Sequence, residues 1–167
     1  MISVVFSAIN CATTANLAVT STLASLGANG EVIFHLDPSN DESSSVLREI
    51  RDPRLRIIET RDRLGFADGL NLAISKAKFD LVARMDADDI CLPWRFSRQL
   101  SVFKKTNSDV LFSTAIVFGS SVAPFGFFPQ LPNSLRTNEV PAELSLRNPF
   151  VHPTMLCKKK ALSVVSG

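Results

Sequence analysis

Residues 81–93, LVARMDADDICLP, decide how this sequence is read. Leu81, Val82 and Ala83 run apolar, as strands covered on both faces do. Three carboxylates follow, Asp86, Asp88 and Asp89, and Pro93 then introduces a helical pattern. Alternation along an extended chain is expected to put Asp86 and Asp88 on one side. Two carboxylates held that close repel unless something positive lies between them. A hard divalent cation, Mg²⁺ or Mn²⁺, is the matching partner, because it takes oxygen ligands and shares them with phosphates. The plain alternative is an acidic turn that caps the next helix. Position at the end of a buried strand favours the site, since open α/β sheets bind ligands at the carboxyl ends of their strands.

Working outward, apolar runs alternate with helical stripes. Residues 2–7, 32–36 and 55–58 read as strands. Val19, Leu23 and Leu26 fall on one helical face, with Thr13 or Thr14 as the N-cap and Gly27 as the stop. Residues 43–50 read as helix, broken by Asp52-Pro53. Phe66, Leu70, Ile74 and Ala77 recur at helical spacing, as do Phe96, Leu100 and Phe103. Residues 110–118 read as one further strand. The βαβαβαβαβ order predicts an α/β fold: a mostly parallel central sheet with helices on both faces, Rossmann-like. From Gly119 the regularity fails. Pro124, Pro129, Pro132 and Pro141 punctuate a loop-rich segment around the aromatic cluster 125–128, with a short helix expected near 142–146.

The chain of 167 residues is about one domain. A net charge of +2 gives no reason to expect nucleic acid as a partner. Cys11, Cys91 and Cys157 form no CxxC pair, so neither a disulfide framework nor a zinc site is indicated. A reducing, cytoplasmic setting fits. The opening MISVVFSAIN has no basic n-region and reads as a first strand, and no apolar run has the length of a membrane span.

The standard phosphate loops fail. Residues 8–14 contain no glycine, against a GxGxxG fold, and neither GxxxxGK[ST] nor GxSxG occurs. A calcium loop from Asp86 would need glycine at Cys91 and glutamate at Ser97. Polar groups do stand after three strands: Asn10, Asp37, and the pair Asp86 and Asp88. That set suits a nucleoside diphosphate held through a metal, with Asp37 accepting from a base N–H. An Asx turn is the other reading of Asp37.

The sequence resembles the family 2 glycosyltransferases, inverting enzymes with the A-type nucleotide-sugar-binding fold. ISVVFSAIN and EVIFHLDPSND match loosely; NPFVHPTM matches near the end. LGFADGLN followed by ARMDADDICLP is specific, above all to the branch that builds bacterial surface polysaccharides such as lipopolysaccharide and capsule. The resemblance implies roles residue by residue. Asp37 would pair with uracil. Asp88 would bind the metal directly, with Asp86 nearer the ribose and metal. Ala8 and Asn10 would line the base pocket, Gly65 and Asn71 would stand beside the donor, and His152 would lie near the sugar. A packed core histidine is the other reading of His152.

Two departures bear on function. Where the family has DDGS, this chain has Leu36-Asp37-Pro38-Ser39, losing the first acid. The family's general base comes from a later acidic motif, and nothing after Glu143 is acidic. The expectation is therefore a chain cut short at its C-terminus, with residues 1–118 as nucleotide-binding core and 119–167 as an incomplete acceptor-side part. The expected function is transfer of a hexose from a nucleotide-diphosphate donor, a UDP-sugar, to a saccharide or lipid-linked acceptor with inversion. It requires Mn²⁺ or Mg²⁺, and contact with the inner face of the membrane is compatible with it. With the base missing, slow transfer or none is expected, His152 being the remaining candidate base. The competing expectation is a non-catalytic nucleotide-sugar-binding or interaction domain.

Overall fold

In the computed structural model, residues 1–28, 30–118, 125–128 and 150–164 are described. Four strands, β1 (Ile2–Ala8), β2 (Gly30–Leu36), β3 (Leu55–Glu59) and β4 (Leu81–Arg84), are separated by helices α1 (Ala15–Leu26), α2 (Ser43–Glu49) and α3 (Phe66–Ser75). Helix α4 (Arg95–Thr106) leads to β5 (Val110–Leu111), β6 (Ala115–Phe118) and β7 (Phe125–Phe128). A 3-10 turn, His152–Thr154, precedes β8 (Leu156–Lys158) and α5 (Lys159–Val164). The main sheet has six strands in the order β3-β2-β1-β4-β8-β5. Strands β1 to β4 run parallel, while β8 pairs antiparallel with both β4 and β5. The expected α/β class, with a mostly parallel sheet, is what the chain forms.

Side-chain alternation explains the two cores. Ile2, Val4 and Phe6 of β1 and Val32, Phe34 and Leu36 of β2 face α1, α2 and α4. Phe6 and Phe34 stack at 5.2 Å between ring centroids. Val5 and Ile33 point the other way, under Ala73 and Ile74 of α3 and Leu162 of α5. Helices therefore cover both faces, as patterning predicts. Ala8 is level with Leu36, and Leu36 with Glu59, so the first three strands end along one edge.

Several expectations need correction. Residues 110–118 are not one strand. The chain leaves the main sheet after Leu111, where the Ser113 N–H donates to Thr154 Oγ1 instead of a strand partner and Phe112 stacks on Phe150. It then forms the separate β6–β7 pair, so the aromatic cluster 125–128 is strand, not loop. Residues 156–158, read only as an apolar stretch, are β8, lodged between β4 and β5. Residues on both sides of 118 thus contribute to one sheet. Thr14 is the N-cap of α1, but its side chain makes no capping bond. Helix α4 starts two residues beyond Pro93. The helix expected near 142–146 lies outside the described residues.

Candidate functional site

Strand β4 stops at Arg84, before the acidic motif. Asp86, half-buried, lies two residues beyond the strand, and the Asp89 N–H closes a turn onto the Asp86 carbonyl at 3.3 Å. Alternation is therefore not what unites the aspartates: the turn does, and it brings in a third. Ligand oxygens of Asp86, Asp88 and Asp89 all lie within 4.8 Å of one another. Asp88 is exposed and Asp89 half-buried. A set of oxygen donors alone suits Mg²⁺ or Mn²⁺ better than a softer metal. Crowding has an electrostatic cost. Burial raises the Asp86 carboxyl above the usual range; Arg84 opposes this, Asp88 adds to it, and His152 opposes it least. Burial also raises Asp89, and the charges of Asp86 and Asp88 raise it further.

Along the same edge, Asp37 ties three loops together. Its N–H donates to the Ala8 carbonyl at 2.9 Å. Its carboxylate accepts the N–H groups of Leu64 at 2.9 Å and Gly65 at 3.0 Å. Asp37 is only 4% exposed. Asn10, at φ 52°, takes the left-handed conformation that asparagine tolerates. Its Oδ1 accepts the Asn40 N–H at 2.8 Å, and its own N–H donates to Ser39 Oγ at 3.1 Å. Gly65, at φ 82°, makes the turn into α3 that a side chain would strain.

The structure thus brings Ala8, Asn10, Asp37 and Gly65 into one loop cluster, with the aspartates at the end of the adjoining strand β4. Asn71 stands half-buried on the second turn of α3. His152 is exposed, which removes the packed-core reading, and it is near enough to act on the Asp86 charge. The buried histidine is His35, 0% exposed, bonded through Nδ1 to Ser7 Oγ at 3.0 Å. Its Nε2 is 3.3 Å from Thr60 Oγ1 and 3.6 Å from Asp37 Oδ1.

Sequence reasoning left Asp89 and Arg84 out of the site. Arg84 Nη2 donates to Asp86 Oδ1 at 2.7 Å. The two-residue spacing of Arg84 and Asp86 on an extended chain was the available signal. A cavity of about 940 Å³ opens beside Asp89, lined among others by Met85, Trp94, Arg98, Ile116 and Pro153. Among the described residues no helix is long and apolar enough to cross a membrane.

Known proteins similar to this chain are glycosyltransferases. The amylovoran biosynthesis glycosyltransferase AmsE of Erwinia amylovora is 32% identical over 105 residues, covering 63% of this chain and 38% of that protein. The UDP-Glc:alpha-D-GlcNAc-diphosphoundecaprenol beta-1,3-glucosyltransferase WfaP of Escherichia coli is 30% identical over 100 residues, 60% of this chain and 40% of the relative. The chain therefore spans about two-fifths of the length of these relatives. S. aureus TarS 1-349 in complex with UDP shares the fold with a TM-score of 0.76 at 19% identity, covering 99% of this chain and 48% of the other. The model of "Glycosyl transferase family 2" matches residues 3–163, and the chain belongs to that family.

Proposed function

We propose that this chain binds a nucleotide-sugar donor, a UDP-sugar, together with Mg²⁺ or Mn²⁺. We propose further that it serves transfer of a hexose, with inversion, to a saccharide or lipid-linked acceptor in polysaccharide synthesis. The observation that carries the reading is the convergence of Asp86, Asp88 and Asp89 at the end of β4. The UDP-Glc in the name of WfaP and the UDP bound to TarS support this donor chemistry, and the amylovoran biosynthesis in the name of AmsE supports polysaccharide synthesis.

The residues have distinct tasks in this reading. Asp88 and Asp86 hold the cation, with Asp89 completing the oxygen set. A divalent cation bound there supplies positive charge against the leaving diphosphate. Ala8 and Asn10 line the base pocket, and Asp37 presents a carboxylate to the uracil N–H while fixing the turn at Leu64 and Gly65. Gly65 and Asn71 flank the donor. His152 stands exposed on the sugar side. The acceptor enters through the cavity beside Asp89, whose exposed Trp94 and Ile90 suit an apolar portion of the acceptor. Its hydroxyl oxygen forms the new bond to the anomeric carbon as the bond to the diphosphate oxygen breaks on the opposite face, and the hydroxyl proton passes to a general base, for which His152 is this chain's candidate.

Calorimetry with UDP and Mn²⁺ tests the reading. Asp88→Asn is expected to weaken metal-dependent UDP binding by about 100-fold, since even indirect supports of a metal site are worth about 10–100-fold. Unchanged affinity would remove Asp88 from the site.

A further inference from the structure

Arg84 is the last residue of β4 and stands opposite Val5 of β1. Its side chain therefore leaves the sheet on the face that α3 covers. There the guanidinium lies 4.8 Å from the centroid of the Phe66 ring, at the first residue of α3, while Nη2 holds Asp86 Oδ1. Arg84 is 9% exposed, and its Nε is buried without a hydrogen-bond partner among the described residues. A guanidinium is rarely sealed in this way unless a charge holds it. The charge is the carboxylate triad. Arg95, the next guanidinium in range, acts on Asp89. Phe66 follows Gly65, whose N–H is held by Asp37, so Arg84 also joins the loop cluster to the acidic turn.

A guanidinium and a divalent cation carry like charge, and both need the Asp86 carboxylate. They oppose each other strongly at a partly buried site, where screening is weak. We propose that Arg84 is the built-in counter-ion of the metal-free site: it neutralises Asp86 when no cation is bound and competes with the cation for that carboxylate. The inference rests on the metal site proposed above. Its consequence is a site that takes a cation weakly alone, and more strongly once a diphosphate adds negative charge and oxygen ligands.

Titration with MnCl₂ alone, followed by the paramagnetic resonance of free Mn²⁺, tests this on four proteins. Arg84→Met is expected to bind Mn²⁺ about tenfold tighter than the unaltered chain, the scale of removing one like charge from a partly solvated site. Arg84→Lys, which keeps the charge, is expected to stay near the original affinity. Asp88→Asn is expected to lose binding. Equal or weaker binding by Arg84→Met, with Asp88→Asn silent, overturns the counter-ion role and leaves the metal site standing. Binding by Asp88→Asn equal to the original overturns the metal site and this inference with it. A measurement on the unaltered chain guards against misfolding of the methionine variant. The Arg84 Nε–H resonance, identified by its absence from the Arg84→Lys spectrum, is expected to shift on saturation with MgCl₂. A resonance that does not move overturns the proposal.

Discussion

A Cβ at Gly69 would overlap His35 Nδ1 and Ser7 Oγ. Glycine is needed there because α3 crosses β1 and β2 directly above a buried polar pair, not for its backbone freedom. Alanine would gain about 1 kcal/mol of helix propensity, but overpacking costs about 1–3 kcal/mol. Gly69→Ala is expected to lower stability by a net of up to about 2 kcal/mol, read as a lower urea midpoint. An unchanged midpoint would mean that α3 shifts away freely. Asp37 carries two tasks at one carboxylate, holding the Leu64–Gly65 turn and, in the proposed function, meeting the base. UDP is expected to outcompete CDP by about tenfold, the worth of one hydrogen bond to a charged acceptor, because cytosine has no ring N–H at that position. Equal competition would leave Asp37 with the turn alone.

Between elements, the end of α1 is fastened by a residue far away in sequence. Arg54, just before β3, donates through Nη1 to the carbonyls of Leu23 at 3.1 Å and Gly27 at 2.6 Å. Asp52 steadies the guanidinium with a 2.7 Å bond from Nη2. A cation at a helix C-terminus also meets the negative end of the helix dipole. Arg54→Met is expected to cost about 1–2 kcal/mol, measured by chemical denaturation, with UDP binding unchanged because the contact lies at the opposite end of the strands from the site. Helix α4 ends by a local device instead: Asn107 takes the left-handed conformation at φ 49°, and Lys104 and Lys105 occupy the last turn. Its C-terminus was therefore readable in the sequence, while the support for α1 was not.

For the whole molecule, stability should depend on pH through His35. Burial lowers its pKa, with Asp37 opposing. The fold thus favours neutral imidazole, while the unfolded chain takes up a proton as soon as pH falls through the ordinary histidine range. Stability is then lost as pH falls through the ordinary histidine value of 6.5 and below, and His35→Gln is expected to flatten that slope in thermal melts recorded with EDTA. A slope equal in both proteins would place its origin elsewhere. Asp86 and Asp89 act with the opposite sign: their raised pKa values make the metal-free fold most stable when they are protonated, and that contribution is lost as pH rises through those values. The alternation of strands and helices, the two-sided cover of the sheet and the acidic motif at the end of β4 were all determined by the sequence itself. Each depends on residues within a few positions of one another, where periods of two and 3.6 act directly. The tertiary structure alone decided the rest. The three residues of β8 have too little local pattern to announce a strand, and their place between β4 and β5 is set by pairing across some 75 positions, as the bond from Cys157 Sγ to the Val82 carbonyl shows. Asp89 joins the triad only because β4 stops at Arg84 and the chain turns. Asp37 meets Gly65, and Gly69 meets His35, only once α3 is laid on the sheet. Contacts between distant segments cost loop entropy that the packed fold must offset as a whole, so no local stretch of sequence encodes them.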